Sequence, residues 1–287
     1  MTLIHALTID VEDWFQVLNL RHVIRREDWD TLPLRCVDAT RRILDLLARH
    51  GARATFFCLG WVAERAPDLI RDLVAAGHEV ASHGYDHQCL HDLGEAGFRA
   101  DLRRTAAILQ GITGQPVTGF RACTWSVTAR TPWALPLLRA EGIRFDSSIF
   151  PVAHPDYGIA DSPPVLHRRD TGAGELIEFP PLTLRLLGRN LPVGGGGYLR
   201  LLPVALCALA LRRAERAGTP GCVYLHPWEF DPDQPRVGVR GLRAFRHYVN
   251  LRRTETKLAA LLRRFRFGTM SEAIASAGSL PRVGAGS

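Results

Sequence analysis

The feature of the sequence that most constrains its fold is a repeated alternation of short, β-prone apolar runs with amphipathic helical segments. The run LIHALTID predicts a strand, VDATRRILDLLARHG predicts a helix that ends near Gly51, and RATFFCLG predicts a second strand. Further strands are predicted at HEVASHG, VTGFRA, IRFDSS and CVYLHPWEF, with helical segments between them. Repeated strand–helix order of this kind indicates a parallel sheet, closed or open, with helices outside it.

Polar side chains with catalytic potential stand at the ends of five predicted strands. Because the active site of a (β/α) barrel is assembled at the carboxyl ends of its strands, these five positions predict one shared site. They are Asp10, His83, Arg121, Asp146 and His226. Residues 151–200 interrupt the alternation, since they are rich in Pro and Gly and contain one strand-like stretch, ELIEFP. We expect them to form a long excursion over the top of the barrel.

Charge and hydropathy exclude several classes of partner. The net charge of +7 comes from 36 basic against 29 acidic residues. The arginine pairs are dispersed over helical patterns, which indicates solvated helix faces rather than a nucleic-acid track. The apolar run at 201–211, LLPVALCALAL, is too short to cross a bilayer, which takes about 20 residues. The first residues lack the basic and apolar regions of a signal peptide. We therefore expect no membrane span and a cytoplasmic location, with the inner membrane face as one place of action.

The segment SHGYDH is a candidate metal site. His83 and His87 are four residues apart, so a helical turn would bring both rings to one side, although surface or capping histidines share this spacing. A carboxylate is needed as a third ligand, and the cluster TIDVED supplies three. Two histidines and a carboxylate suit zinc, while iron or cobalt would also fit.

The remaining strand-end residues fit the hydrolysis of an amide or ester. His226 could protonate the leaving nitrogen, Asp146 could orient the His226 ring, and Arg121 could hold a catalytic carboxylate. Each has a purely structural alternative: a hydrogen-bonded histidine at a strand end, an N-cap or turn aspartate, and an ordinary salt bridge. A metal ion that polarises a carbonyl and lowers the pKa of water would complete such a site.

The order TIDVED, SHGYDH, FRACTWS, FDSS and LHPWEF resembles the five motifs of the polysaccharide deacetylase family, the NodB-like carbohydrate esterases, over residues 5–230. The longer segments DVEDWFQV, GGGGYLRLLP, LHPWEFDPDQPR and FRHYVNL resemble its exopolysaccharide-locus branch, which is linked to the PEP-CTERM/exosortase system. This resemblance implies an α/β fold, a distorted (β/α) barrel of about seven strands. It also implies one catalytic domain over residues 1–287, with a core at 5–230 and a C-terminal extension at 231–287.

The resemblance further implies a metal-dependent enzyme that removes N-acetyl groups from the amino sugars of a polysaccharide or lipid-linked oligosaccharide during exopolysaccharide biosynthesis. The motif positions imply the following roles: Asp10 as catalytic base, His83 and His87 as metal ligands, Arg121 as the arginine that holds the base, Asp146 as the partner of the acid, and His226 as the acid.

The first motif departs from the commonest family pattern, which has two adjacent aspartates of which the second binds the metal. Here Val11 follows Asp10, so Glu12 is the better ligand candidate and Asp13 stands behind it. Two other functions stay open: an amidohydrolase of the same fold that acts on a non-sugar C–N substrate, and a catalytically silent glycan-binding protein.

Several neighbouring residues are candidates for contact with substrate. The tetraglycine 194–197 is expected to be a flexible segment beside the cleft, with Tyr198 as a sugar contact. A backbone N–H near Tyr85 is a candidate oxyanion donor. Three tryptophans adjoin motifs and could either stack on sugar rings or pack in the core: Trp14, Trp125 and Trp228.

Overall fold

The computed structural model describes residues 3–154 and 157–284. The helices are α1 (Cys36–Arg49), α2 (Gly60–Arg65), α3 (Pro67–Ala75), α4 (Leu90–Thr113), α5 (Ala134–Ala140), α6 (Gly196–Leu201), α7 (Val204–Arg216), α8 (Gly241–Tyr248), α9 (Thr254–Leu262) and α10 (Met270–Ser276). The strands are β1 (His5–Val11), β2 (Thr55–Cys58), β3 (Glu79–Ser82), β4 (Gly119–Phe120), β5 (Phe145–Asp146), β6 (His167–Asp170), β7 (Glu175–Glu178), β8 (Thr183–Leu186), β9 (Arg189–Pro192), β10 (Cys222–Leu225), β11 (Phe267–Gly268) and β12 (Arg282–Val283).

The main sheet confirms the predicted α/β class. Its order is β10-β1-β2-β3-β4-β5-β7-β6-β12, and β11 also pairs with β1. Neighbours from β10 to β7 run parallel, whereas β6 and β7 are antiparallel. These strand pairings do not close a barrel. However, Pro181, just after β7, forms an isolated parallel bridge with Cys222 of β10, which brings the two sides of the seven-stranded parallel part together.

β1 lies in the interior of the sheet, and its sequence is apolar enough for this position. All seven residues of HALTIDV are buried, as expected for a parallel strand covered on both faces. The helices cover this sheet with one apolar face each; in α1 that face includes Ile43 and Leu47, both fully buried. The strand-end positions are confirmed as well. Asp10 is the penultimate residue of β1 and Asp146 the last residue of β5, and the other three directly follow strands: His83, Arg121 and His226.

Residues 151–200 contain more regular structure than the single strand expected. β6 and β7 form an antiparallel pair, and β8 and β9 form a separate hairpin. Leu187 and Gly188 connect the hairpin with φ values of 47° and 76°, the backbone twist that two-residue hairpin turns favour. Most of these strands were not predicted from the sequence, because each is only four residues long and lies in a segment rich in Pro and Gly.

The tetraglycine, expected to be a flexible segment beside the cleft, packs against β10 and continues into α6. A Cβ at Gly195 would meet the carbonyl oxygen of Tyr224 in β10, and a Cβ at Gly194 would meet Leu182. Gly195 also forms an isolated bridge with Tyr224. Glycine is therefore needed here so that the backbone can approach β10 closely before α6 begins.

The segment after residue 230 packs on the sheet. Phe267 and Gly268 of β11 pair with His5 and Ala6 of β1, and α10 begins with a capping box in which Thr269 accepts from the Glu272 N–H. Across the part of the chain that the structure describes, we find no helix with the length and apolar character needed to cross a membrane.

Candidate active site

The Asp10 carboxylate is fixed by a buried arginine. Arg121 donates from Nη1 to Asp10 Oδ1 at 2.6 Å and to Thr8 Oγ1 at 2.8 Å. Its other nitrogens donate to Ser147 Oγ at 2.8 Å and the Ser147 carbonyl at 3.2 Å. Arg121 is fully buried and Asp10 nearly so, and the bonds to Thr8 and Ser147 fix the guanidinium that holds Asp10 Oδ1.

Glu12, His83 and His87 come together as a candidate metal centre. Each offers one ligand atom, and these atoms lie within 4.8 Å of one another. The Nδ1 atom of His83 lies 2.8 Å from the Arg121 carbonyl, which leaves Nε2 for a metal. Glu12 Oε2 lies 2.7 Å from His87 Nε2. The predicted helical turn is absent: His83 follows β3, and His87 reaches the site through a bend with a φ of 59°.

The electrostatics suit a cation at Glu12 and His83, whereas at His87 burial lowers the pKa but Glu12 raises it by more, so a metal ion would have to displace a proton there. Burial raises the pKa of Glu12, but His87, His226 and His83 lower it by more. The net pKa lies well below its usual range, so the carboxyl is ionised. Burial lowers the pKa of His83 to about 4 despite the nearby Asp10, so this ring is neutral and its Nε2 lone pair is free. An ionised carboxylate and a neutral imidazole are the protonation states that metal binding requires.

Asp13 has a structural role. Its Oδ2 accepts from the Cys36 N–H at 2.8 Å, at the first turn of α1, and its Oδ1 accepts from the Trp14 N–H at 2.8 Å. Both oxygens are thus bonded to backbone, and burial raises the pKa of this carboxyl to about 6. The geometry favours Glu12 over Asp13 as the third ligand.

The His226 ring has a different carboxylate partner from the one expected. Its Nδ1 lies 3.0 Å from Glu229 Oε2, and Glu229 Oε1 accepts from Arg200 Nε at 2.6 Å. On the other side, His226 Nε2 faces Asp10 Oδ2 and Glu12 Oε1, each at 3.8 Å. Asp146 is instead bonded to Ser148, whose hydroxyl donates to Oδ1 at 2.5 Å. The expected role of Asp146 as the partner of His226 is therefore corrected to Glu229.

Asp146 belongs to a separate buried carboxyl pair with Glu178. Both side chains are fully buried, and Glu178 Oε1 accepts from the Ile149 N–H at 3.0 Å. Burial and then the charge of Asp146 raise the pKa of Glu178 well above its usual range. A proton shared by the two carboxyl groups would reduce the pair at the end of β5 from two negative charges to one.

Sequence reasoning missed Glu229, Arg200 and the second role of Trp228. Trp228 stacks between His226 and His247, with ring centroids 5.2 and 4.6 Å away, and its Nε1–H donates to Glu12 Oε1 at 3.0 Å. The available signal was the spacing in HPWEF, because a residue three positions after a histidine can reach back to it within one turn. No comparable local signal pointed to Arg200.

A cavity of about 460 Å³ opens above these groups. Asp10, Glu12, His83, His87 and His226 line its floor. Aromatic side chains form part of its wall, including Trp125, Tyr157, Tyr198 and Tyr224.

The other aromatic and backbone candidates divide between wall and core. Trp125 and Tyr198 line the cavity as expected, whereas Trp14 is buried beside Phe15 at a centroid distance of 5.6 Å. The N–H of Tyr85 donates to both carboxylate oxygens of Asp101, at 3.1 and 3.0 Å. That N–H is therefore committed to Asp101, which corrects the expected oxyanion donor.

A second cluster, Cys89, His91 and Asp92, also brings three ligand atoms within 4.8 Å of one another. Arg130 Nη2 lies 3.4 Å from both nitrogens of the His91 ring, and Arg21 pairs with Asp92 at 3.8 Å. Two guanidinium groups against these ligands disfavour a second cation.

Comparison with known proteins supports this fold. Residues 28–144 match the family model described as polysaccharide deacetylase, and residues 147–275 match one described as a domain of unknown function, DUF3473. His83, His87 and Arg121 fall in the first range, and His226 in the second. A candidate polysaccharide deacetylase from Mycobacterium smegmatis has a similar fold, with a TM-score of 0.59, 21% identity and coverage of 96% of this chain and 90% of that one.

Two curated enzymes are similar over short segments. A peptidoglycan-N-acetylglucosamine deacetylase of Bacillus cereus is 35% identical over 78 residues, 27% of this chain and 28% of that protein. A chitooligosaccharide deacetylase of Sinorhizobium fredii is 48% identical over 65 residues, 23% of this chain and 28% of that protein. Each match spans less than a third of the relative. The similarity to polysaccharide deacetylases is therefore carried by residues 28–144 and by these shorter segments.

Proposed function

We propose that this chain is a metal-dependent deacetylase that hydrolyses the acetamide of N-acetylated amino sugars. The observation that carries the proposal is that one cavity is lined by the Glu12–His83–His87 cluster, by His226 and by Asp10, which Arg121 holds from behind. The curated relatives act on peptidoglycan and chitooligosaccharides by name, which supports an N-acetylglucosamine-containing substrate.

A divalent cation fits the donor set. Glu12 Oε2 is buried and faces His87 Nε2 at 2.7 Å, so two of the proposed ligand atoms already lie side by side. We propose Glu12, His83 and His87 as its ligands, and zinc as the metal that this set suits best, with cobalt or iron as the other candidates. When bound, the ion would act as a Lewis acid toward the acetyl carbonyl and lower the pKa of water.

Asp10 and His226 divide the proton transfers. Asp10 Oδ1 is bonded to Arg121, so Oδ2 is the atom that takes a proton from water as the water oxygen attacks the acetyl carbon. His226 faces the same space through Nε2, and the Glu229 carboxylate accepts from Nδ1–H. The C–N bond then breaks as Nε2–H gives its proton to the leaving nitrogen, and the products are acetate and a free amine.

Trp125 and the tyrosines of the cavity wall offer faces and hydroxyls to a sugar ring. The Tyr157 and Tyr198 hydroxyl oxygens lie 3.1 Å apart at the wall. We propose that the substrate is an N-acetylated polysaccharide or a lipid-linked oligosaccharide in exopolysaccharide biosynthesis. The motif resemblance to the exopolysaccharide-locus branch linked to the PEP-CTERM/exosortase system supports this finer assignment.

We also propose that the chain acts as one catalytic domain. Support comes from the C-terminal segment: β11 pairs with β1, and Arg200 donates to the carbonyls of His247 and Val249 at 2.9 and 2.7 Å. Residues beyond 230 therefore support the groups that orient His226.

The test is acetate release from N-acetylglucosamine oligomers, with metal content measured on the same sample. We expect acetate release by the wild type and its loss in Asp10→Asn, with metal content retained because Asp10 is not a proposed ligand. Asp30→Asn, an exposed aspartate, is the matched control and should retain activity. Acetate release that survives Asp10→Asn, or none from the metal-loaded wild type on any N-acetylated sugar, would contradict the proposal.

A further inference from the structure

One side of the cavity mouth is formed by aliphatic and aromatic side chains that are open to solvent. Leu201, Leu242 and Phe245 are 50%, 61% and 49% exposed, and all three line the cavity. Leu242 and Phe245 are three residues apart on α8, so they project from one face of this helix. A cluster of large apolar side chains at the surface marks a site that contacts another apolar body.

The same segment carries a strong positive charge. Residues 236–253 contain six arginines and no acidic residue: Arg236, Arg240, Arg243, Arg246, Arg252 and Arg253. Of these, only Arg252 finds an acidic partner among the described residues, Asp233 at 3.0 Å. Arg240, Arg243 and Arg246 are exposed, and Arg246 lines the cavity together with the apolar residues.

From this juxtaposition we infer that the rim made by Leu201, Leu242, Phe245, Arg240 and Arg243 docks on an anionic phospholipid surface. Charge complementarity requires an anionic partner, and the aliphatic side chains require one with an apolar interior. A polyanion such as RNA meets the first requirement and not the second. An amphipathic helix with basic and apolar faces meets both at a lipid interface.

Docking in this way would set the mouth of the cavity at the membrane surface. α8 lies close to the catalytic groups, because the carbonyl of Arg246 accepts from Arg200 Nη2 at 3.0 Å and Arg200 in turn holds Glu229. A substrate held in the membrane by a lipid could then present its sugar to the cavity without leaving the bilayer. The surface contact itself does not rest on the deacetylase activity.

The experiment is sedimentation of the full chain with vesicles of phosphatidylcholine, alone or mixed in equal parts with phosphatidylglycerol. We expect binding to the mixed vesicles only, weakening as salt rises. Arg240→Gln/Arg243→Gln should weaken it about 30-fold, since each arginine near an anionic surface contributes about 1 kcal/mol. Leu242→Ser/Phe245→Ser should weaken it by at least a similar factor.

Two matched variants test whether binding depends on this surface or on nonspecific electrostatic and hydrophobic adsorption. Arg212→Gln/Arg216→Gln removes two exposed arginines of α7, and Leu186→Ser/Leu187→Ser removes two exposed leucines of the β8–β9 hairpin. Both should bind like the wild type, and thermal unfolding checks that all four variants are folded. Binding that the control variants reduce as much as the rim variants, equal binding to both vesicles, or no binding would overturn the inference.

Discussion

Glu229 Oε2 accepts from His226 Nδ1 at 3.0 Å while Glu229 Oε1 accepts from Arg200 Nε at 2.6 Å. Glu229 and Arg200 are both buried, with exposures of 0% and 1%. Both oxygens of this carboxylate are therefore held by donors and shielded from water. The carboxylate in turn fixes the orientation of the imidazole. The ring presents Nε2 to the cavity, the atom from which a general acid must donate.

The first prediction concerns the pH dependence of this acid. Burial lowers the pKa of His226, but Glu229, then Glu12 and Asp10, raise it to about 9. A general acid must carry its proton, so activity persists below this pKa and is lost as the pH rises through it. Glu229→Gln removes the strongest raising interaction, so the alkaline limb of the kcat/KM profile for acetate release should move to lower pH.

Asp146→Asn is the control for this prediction, because the motif resemblance assigned the same role to Asp146. It should leave the alkaline limb in place, since Asp146 is bonded to Ser148. A limb that moves in Asp146→Asn and stays in Glu229→Gln would return the role to Asp146.

The second prediction identifies the metal centre. His87→Ala removes a ligand from the Glu12–His83–His87 cluster, so bound metal should fall below one equivalent and acetate release should be lost. His91→Ala removes the histidine of the second cluster, beside Arg130, and should change neither. Metal analysis after dialysis distinguishes the two variants. Loss of metal from His91→Ala alone would mean that the ion binds at the second cluster.

The third prediction concerns the buried pair of Asp10 and Arg121. Arg121→Met should lower the free energy of unfolding by about 3–5 kcal/mol, because it leaves a buried carboxylate without its partner. Adding Asp10→Asn should recover part of this loss, since no charge then remains unpaired. Chemical denaturation of the three variants measures the coupling.

Arg25→Met, which breaks an exposed ion pair with Asp28, is the control for that comparison and should leave stability nearly unchanged. If the double variant is as unstable as the sum of the two single variants, the pair is not coupled and Arg121 does not hold Asp10.

The fourth prediction uses two glycines of the tetraglycine. Gly195→Ala should destabilise the protein by about 1–3 kcal/mol, because its Cβ would meet the Tyr224 carbonyl of β10. Gly197→Ala places its Cβ at ordinary contact distances, 3.7 Å from Arg200 Nη2 and the Arg246 carbonyl, and lies within α6. It should be neutral or stabilising by about 0.4–1 kcal/mol. Equal effects in thermal unfolding would mean that the approach to β10 does not require glycine.

The sequence by itself determined most of the parallel strands and the polar residues at their ends. Apolar periodicity predicted β1, β2, β3 and β10, and the five polar residues Asp10, His83, Arg121, Asp146 and His226 were predicted at carboxyl ends of strands, where the structure has them. These features are local, since strand formation and burial depend on runs of a few residues. The motif order then carried the resemblance to the deacetylase family.

Only the tertiary structure decided which of these residues face one another. Asp146 ends a strand as predicted, yet its contacts are Ser148 and Glu178, and Glu229 takes the place beside His226. Asp13 and Glu12 are neighbours in sequence, but Asp13 accepts a hydrogen bond from the first turn of α1, whereas Glu12 pairs with His87. The physical reason is that hydrogen-bond partners are chosen by three-dimensional proximity and burial, which residue type and spacing do not specify.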